Sequence, residues 1–279
     1  GHGWVDLETS LKQSCDVYYY DLALKVGIEK ISAMANRFGL GIKHDLPLSS
    51  VAAGLAPTKQ WKQSARGANW VIGDTVNASI GQGFTLSSPL QLALMTARIA
   101  TNRIVTPRLI KSIDGIEQPS GAGEPLGVSE NNIRKVRKGM QVVVNDRRGT
   151  AYRSRIIADE MRMAGKTGTS QVRNITAAER ARGVSRNEDL PWERRDHALF
   201  VAFAPYDKPR YALSVLVEHG GGGSAAAAPI ARDVMLQALY GGEPPLDAYP
   251  TADRARIATQ QEELRKVQPQ AAINGNDQA

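Results

Sequence analysis

Two apolar stretches near residue 200 constrain the fold of this chain more than any other feature. HALFVAFAP (197–205) and RYALSVLVEH (210–219) have the aromatic and β-branched content of strands, with the connection YDKPR between them. A connection of this length is typical of an antiparallel hairpin. A third strand candidate at 161–172 comes before the hairpin. The sequence therefore predicts an antiparallel sheet in the second half of the chain.

Helical patterns flank these strands. Residues 5–41 are predicted to be helical, in two pieces that each end near a glycine. SPLQLALMTARIAT (88–101) predicts a helix with one apolar face, formed by Leu90, Ala93, Leu94 and Ala97. Ser129 is a candidate N-cap for a basic helix through residue 146.

After the sheet, a glycine linker and an amphipathic helix are predicted to end the domain at about residue 244. That helix carries Ile230, Val234, Met235 and Ala238. Helices first, then an antiparallel sheet and a closing helix describe an α+β domain over residues 1–244, in which helices cover the sheet.

Three segments have compositions that argue against regular structure. Residues 45–88 are rich in Pro, Gly, Ser and Thr and predict a long structured loop. Residues 173–196 are charged and predict a mobile surface insertion within the domain. Residues 245–279 are polar, with few large apolar side chains, and predict a disordered tail.

Composition excludes several classes of protein. A hydrophobic content of 42% is ordinary for a globular core, and no apolar run approaches the roughly 18 residues of a membrane span. The formal charge of +7 comes from basic residues mixed with acids, without a basic and aromatic stripe, so nucleic acid is not an expected partner. Such a basic surface would suit an anionic cell-wall polymer or lipid head groups.

The chain opens with GHGWVDLETS, which has neither an initiator methionine nor a signal peptide. We therefore expect a piece of a longer protein. Cys15 is the one cysteine, so an internal disulfide is excluded.

Lys166 lies between glycine and threonine in AGKTGTS (164–170), which resembles the end of a phosphate-binding P-loop. That motif needs glycine where this chain has Glu160, and it needs a helix where the following residues favour a strand. Two interpretations remain. The segment is either a strand edge whose Lys and Thr side chains bind a carboxylate, or a polar hairpin without a role.

Ser14 and Asp16 in QSCDVYYY would by themselves indicate helix capping. Their position about 150 residues before KTGT changes that interpretation, because penicillin-binding proteins and class A β-lactamases use the set S-x-x-K, S-D-N and K-T-G. The chain resembles the transpeptidase domain of penicillin-binding proteins, and most closely its elongation-type branch, penicillin-binding protein 2 of Gram-negative bacteria. The resemblance covers residues 1 to about 242, through stretches that include PTKQWK, GDTVNASIGQGFTLSSPLQLAL, GTAYR and AGKTGTSQV.

The resemblance implies a β-lactamase/transpeptidase-like fold that lacks its N-terminal part. It also implies catalytic roles for three side chains. Ser14 would relay a proton to the leaving group, and Lys166 would hold positive potential over the site. Asp16 stands where most of the family has asparagine, and the elongation-type branch commonly has aspartate there.

The same resemblance implies a substrate-binding strand. Thr167 and Thr169 would bind the substrate carboxylate through their hydroxyls, and the Thr169 backbone N–H would form half of an oxyanion hole. Gly168 would let the acyl-donor peptide lie against this strand as an added β-strand.

The family's nucleophile is absent from this sequence. It is the serine of S-x-x-K, and none of the twelve lysines here has a serine three positions before it. Thr9 precedes Lys12 by three positions, but it lies only five residues before Ser14, whereas the nucleophile motif of the family lies much further upstream. We therefore expect the nucleophile to lie upstream of Gly1, and the chain alone to be inactive and of marginal stability.

The resemblance also implies a structural zinc in the longer protein, to which His2 and Cys15 would contribute two of four ligands. Catalysis itself needs no cofactor. Two ligands do not make a zinc site, and the alternative is a partly buried thiol and a fraying terminal histidine.

The function implied is that of a peptidoglycan D,D-transpeptidase, which cross-links D-alanyl-D-alanine stem peptides during cell elongation and is acylated by β-lactams. Its expected location is the periplasmic face of the bacterial inner membrane, through a missing N-terminal anchor. Its expected partners are a membrane glycan polymerase and elongation-complex proteins. The alternatives are a hydrolase of the same fold, such as a D,D-carboxypeptidase or β-lactamase, and a noncatalytic β-lactam sensor.

Overall fold

The computed structural model describes residues 1–118, 123–173 and 175–267. The helices in these ranges are α1 (Leu7–Lys12), α2 (Asp16–Val26), α3 (Ile28–Arg37), α4 (Lys59–Arg66), α5 (Ile72–Ser79), α6 (Pro89–Thr101), α7 (Glu130–Asn145), α8 (Ala177–Arg182), α9 (Ala227–Tyr240) and α10 (Thr251–Val267). The strands are β1 (Ser112–Ile113), β2 (Ile116–Glu117), β3 (Ala164–Ser170), β4 (His197–Ala204) and β5 (Tyr211–Val217).

Strands β3, β4 and β5 form an antiparallel sheet in that order. Phe200 at the centre of β4 pairs with Thr167 of β3 on one side and with Val215 of β5 on the other. The predicted hairpin and the α+β fold are therefore confirmed.

Helices cover both faces of this sheet, because the side chains of β4 alternate between two cores. Phe200 is fully buried on the side of α9, where it belongs to one cluster with Met235 and Leu236. Phe203 is fully buried on the opposite side, in a cluster with Ile99 of α6. The central strand is thus shielded from water on both faces.

The short helix α1 is held against α7 by close packing and by a buried charge. A Cβ on Gly139 of α7 would lie 2.2 Å from Leu11 Cδ1, so a larger residue there would require the Leu11 side chain to move. The buried Lys12 pairs with Asp146 just after α7, with Nζ and Oδ2 3.4 Å apart. The turn that follows α1 is fixed relative to β3, because α7 also packs on that strand.

The predicted loop over 45–88 is wrong for two of its parts, which form α4 and α5. Thr58 caps α4 by accepting from the Trp61 N–H. The helix lacks an apolar periodicity because its buried side chain is Lys62, which pairs with Asp74 of α5 at 2.6 Å. An ion pair here performs the packing role that apolar residues usually have.

The predicted disorder after residue 245 is wrong for 251–267, which forms α10. This polar helix is attached to the rest of the domain through individual buried side chains. Ile257 is buried, and the buried Gln261 side chain donates to the Pro244 carbonyl. The fully buried Arg232 of α9 binds Asp253. Residues 268–279 of the predicted tail lie outside the described residues.

The predicted apolar faces of α9 and α6 are partly wrong. Ile230 and Val234 are 45% and 53% exposed, whereas α9 buries three alanines, Ala227, Ala228 and Ala231. The side chains of Arg232 and Met235 are buried on the same helix. In α6, Leu90 is 38% exposed whereas Gln91 is fully buried. Small and polar side chains bury where backbones approach closely, and periodicity of large apolar residues misses them.

Two further predictions concern segments outside the core. Ser129 is the N-cap residue of α7, as predicted, but its side chain makes no capping hydrogen bond. The segment predicted as a surface insertion contains α8 and two single 3₁₀ turns. Trp192 in this segment packs on His219, with ring centroids 4.4 Å apart. Its mobility stays a prediction.

Candidate active site

A cavity of about 770 Å³ lies along one edge of β3. Its other walls are the turn between α1 and α2, the end of α5 and the loop before α9. The polar residues predicted from sequence line it together: Ser14, Asp16, Lys166, Thr167, Gly168 and Thr169. A second cavity, of about 700 Å³ between α9 and α10, shares no lining residue with this cleft.

Ser14 is held in a left-handed backbone conformation, with φ of 51°. This region is uncommon for residues other than glycine, and such residues concentrate at functional sites. The turn is closed by the Cys15 N–H, which donates to the Ser10 carbonyl at 2.9 Å. As a result the Ser14 hydroxyl faces β3, where Lys166 Nζ donates to it.

Among the residues that the structure describes, no carboxylate lies within bonding distance of Lys166. Its amine donates to Ser14 Oγ and to the Thr167 carbonyl, the latter at 3.0 Å. Burial lowers the pKa of Lys166 from 10.5 to about 8, and the negative charge of Asp16 opposes that shift. At pH 7 the amine is therefore still mostly protonated, yet it can lose its proton at small free-energy cost.

The Thr167 hydroxyl is positioned by a second threonine. Thr150 Oγ1 lies 3.0 Å from Thr167 Oγ1, and the Thr150 N–H donates to the Lys12 carbonyl at 3.2 Å. Gly149 makes this turn possible, since a Cβ there would lie 2.2 Å from the Val143 carbonyl oxygen. Thr150 therefore connects the turn that carries Ser14 to the strand that carries Lys166.

Gly168 and the exposed Thr169 form the open part of the β3 edge. Gly223, in the loop before α9, packs so closely on Gly168 that a Cβ on Gly223 would lie 2.5 Å from the Gly168 carbonyl oxygen. On the cleft side, the Gln82 side chain donates from Nε2 to the Thr169 carbonyl at 2.9 Å. The sheet edge is thus backed by one loop and contacted across the cleft by another.

Sequence reasoning missed several residues of the cleft. Thr150 and Gln82 lie in GTAYR and IGQG, which supported the resemblance without any role being assigned to them. Tyr19, Asn77 and Gly223 also line the cavity. The glycines that flank Gln82 were the available signal, because paired glycines mark a tight, exposed loop.

His2 and Cys15 do not form a metal site by themselves. His2 is exposed and Cys15 is 8% exposed. In the ranges that the structure describes, no group of three or more His, Cys, Asp or Glu side chains is placed to hold a metal ion. A tetrahedral zinc site would need two further ligands.

A serine hydroxyl bound by a partly buried lysine, beside threonine hydroxyls on an open sheet edge, is an arrangement that can move a proton and bind an anion. The chain belongs to the penicillin-binding protein family. The model of the penicillin binding protein transpeptidase domain matches residues 1–236.

Curated relatives agree with this assignment. Peptidoglycan D,D-transpeptidase MrdA of Haemophilus influenzae is 35% identical over 274 residues, which are 95% of this chain and 41% of that protein. The protein of the same name from Acinetobacter baumannii is 37% identical over 235 residues, 81% of this chain and 34% of that protein. The chain thus spans less than half the length of these relatives.

Solved structures are similar in fold. Penicillin-binding protein 2 of Pseudomonas aeruginosa, in complex with WCK 5153, superimposes with a TM-score of 0.71 at 38% identity, over 87% of this chain and 50% of that chain. Penicillin-binding protein 2 of Helicobacter pylori, in complex with MreC, gives 0.72 at 34% identity, over 86% and 41%. In the described part of this chain, no helix has both the length and the apolar character to cross a membrane.

Proposed function

We propose that this chain supplies the proton-relay and substrate-binding part of a peptidoglycan D,D-transpeptidase. The reaction would transfer the acyl group of a D-alanyl-D-alanine stem peptide to the amine of a neighbouring peptide, with release of D-alanine. One observation carries the proposal: the Ser14 hydroxyl is bound by a desolvated Lys166 in a cleft that also contains Thr167 and Thr169.

The geometry supports a proton relay through Ser14. Lys166 donates to Ser14 Oγ, which leaves the hydroxyl hydrogen of Ser14 free to be donated into the cleft. The lowered pKa of Lys166 supports exchange of that proton near neutral pH. In the proposed reaction Ser14 receives a proton from the S-x-x-K lysine of the longer protein as it donates its own to the departing D-alanine nitrogen, so its hydroxyl is restored, and Lys166 holds positive potential over the site.

Substrate binding is assigned to the outer edge of β3. The hydroxyls of Thr167 and Thr169 would bind the terminal carboxylate, next to the positive charge of Lys166. The absence of a side chain at Gly168 leaves room for an extended peptide, whose main chain would add to the edge as a further strand. The Thr169 N–H would stabilise the oxyanion of the tetrahedral intermediate.

The acylated serine is proposed to lie outside the given sequence, in an S-x-x-K motif of a longer protein. The shorter length of this chain relative to its relatives, together with the lack of that motif, supports this. In this proposal the chain alone does not acylate, and the longer protein also supplies the two missing ligands of a structural zinc at His2 and Cys15.

Similar structures support the proposed partners and location. Structures similar to this chain include a penicillin-binding protein 2 with MreC and a peptidoglycan synthase complex. We infer that the longer protein assembles with a membrane glycan polymerase and elongation-complex proteins, at the periplasmic face of the inner membrane.

Intact mass after benzylpenicillin treatment tests the proposal, using this chain and a version extended upstream along its gene. We expect an adduct on the extended protein alone, at the serine of S-x-x-K. An adduct on the chain as given would overturn the assigned nucleophile.

A second assay measures release of D-alanine by the extended protein. We expect release that depends on an acceptor amine. Release without an acceptor would indicate a hydrolase, and no release would indicate a sensor.

A further inference from the structure

Gln82 is presented to the cleft by a rigid loop. It stands between Gly81 and Gly83, with φ of 76° and 70°, and its N–H donates to the Asn77 carbonyl at 3.0 Å. Phe84, two residues later, packs against Trp61 with ring centroids 5.2 Å apart. The ion pair of α4 and α5 lies beneath this loop, since Lys62 Nζ is 5.5 Å from the Phe84 ring. The Gln82 side chain therefore extends from a fixed base.

The carboxamide of Gln82 occupies a hydrogen-bonding position on the outer edge of β3. The Thr169 carbonyl accepts from Gln82 Nε2, and the Thr167 carbonyl accepts from Lys166 Nζ. Carbonyls two residues apart on a strand point to the same side. Both side-chain donors therefore occupy positions that the main-chain N–H groups of an added peptide strand would take.

Gln82 also stands at the boundary between two cavities. Next to the catalytic cleft lies a different, polar cavity of about 480 Å³, lined by residues such as Gly83, Leu86 and Arg173. Gln82 lines both cavities, and its bond to Thr169 lies where they meet. A peptide long enough to follow β3 from one cavity into the other must pass this bond.

We propose that Gln82 is a specificity-determining residue that competes with the ligand for the Thr169 carbonyl. An extended ligand that offers an amide N–H must displace the Gln82 carboxamide, whereas a ligand without that amide leaves it in place. This inference rests on the proposed function, since it concerns the acyl-donor peptide and its β-lactam mimics.

The test compares two β-lactams on the full-length protein. Benzylpenicillin carries an acylamino side chain with one amide N–H, and penicillanic acid has hydrogen at that ring position. The measured quantity is the ratio of their second-order acylation rates, benzylpenicillin over penicillanic acid. In Gln82→Met, which keeps the side-chain length but has no donor, we expect the ratio to rise about twofold to tenfold, the equivalent of one net hydrogen bond.

Two further variants accompany it. Gln82→Asn is one methylene shorter, so its amide does not reach the carbonyl, and the same rise is expected. Gln171→Met is the matched control, because Gln171 lines both cavities and Gln82 rather than Gln171 binds Thr169. This control is expected to leave the ratio unchanged.

An unchanged or lower ratio in Gln82→Met would overturn the inference. So would a crystal structure of the benzylpenicillin acyl-enzyme in which Gln82 Nε2 remains within 3.5 Å of the Thr169 carbonyl oxygen. A wild-type protein that neither ligand acylates would instead overturn the proposed function, and the inference with it.

Discussion

Lys166, which is partly buried, and Arg232, which is fully buried, are two cations that the fold treats in opposite ways. Arg232 is fully buried in α9 and has two carboxylate partners, with Nε 2.8 Å from Asp233 Oδ1 and a guanidinium N–H bonded to Asp253. Burial by itself lowers the pKa of Arg232, but the two carboxylates outweigh it and raise that pKa. Lys166 has hydroxyl and carbonyl partners, and burial lowers its pKa to about 8.

The difference separates a structural charge from a reactive one. A buried cation neutralised by carboxylates keeps its proton and fixes two helices, because removing one partner leaves an unpaired charge. A buried cation without a carboxylate destabilises its own charged form, and perturbed groups of this kind mark functional clefts. The predictions below test this contrast.

The largest effect on stability is expected at Arg232. Arg232→Met removes the buried cation that joins α9 to α10 and leaves Asp233 and Asp253 without it, so the free energy of unfolding should fall by about 3–5 kcal/mol. Urea unfolding measures it. Arg256→Met is the matched control, because the half-exposed Arg256 binds the same Asp253, at 3.5 Å, and should cost about 0–1 kcal/mol. Equal losses in the two variants would contradict the structural role of Arg232.

Lys166→Met should reduce activity strongly and stability only slightly, in contrast to Arg232→Met. Acylation of the longer protein by benzylpenicillin is expected to slow about 10²- to 10³-fold, because positive charge at the reacting atoms is lost. The free energy of unfolding should not fall by more than about 1 kcal/mol, since an isosteric apolar side chain replaces a desolvated amine. Intact-mass kinetics and urea unfolding measure the two quantities. A loss of stability as large as that of Arg232→Met would refute the contrast.

The lowered pKa of Lys166 should make the stability of the folded state depend on pH. Below about pH 8 Lys166 is protonated in both the folded and unfolded states. Between about pH 8 and 10.5 the unfolded state alone keeps the proton, so the folded state gains stability as pH rises. The unfolding free energy of the wild type minus that of Lys166→Met should therefore increase across this window. A constant difference would show that the pKa of Lys166 is not lowered by folding.

The smallest effect is expected at Asp16. Its negative charge raises the pKa of Lys166 against the effect of burial, so Asp16→Asn should move that pKa below about 8. NMR titration of the lysine ¹³Cε resonance measures it. Asp21→Asn serves as the control, because Asp21 is exposed and pairs with Lys25 at 2.6 Å. A pKa that stays the same in both variants would remove Asp16 from the electrostatics of the cleft.

Much of the architecture could be predicted from the sequence. The hairpin of β4 and β5 follows from two long apolar strands and a short connection, and β3 is indicated by poor helix formers such as Gly168, Thr169 and Ser170. Helices α4 and α10 could not be predicted from periodicity, because Lys62 and Arg232 hold them through ion pairs in place of an apolar stripe. A composition rule counts such residues as solvent-exposed.

Some residues of the candidate site could likewise be predicted from the sequence, and others could not. Ser14, Asp16 and the KTGT strand could be identified from motif and spacing, because the chemistry needs those residue types in that order. Thr150 and Gln82 could not, because each contacts β3 only after residues far apart in the chain come together, Gln82 with Thr169 and Thr150 with Thr167.

The sequence by itself determined the family, the sheet and the identity of the motif residues, since these depend on local propensity and on residue type. Tertiary structure alone decided the electrostatics. The lowered pKa of Lys166 and the raised pKa of Arg232 depend on which side chains surround each cation in a medium of low dielectric, and that neighbourhood is created by folding.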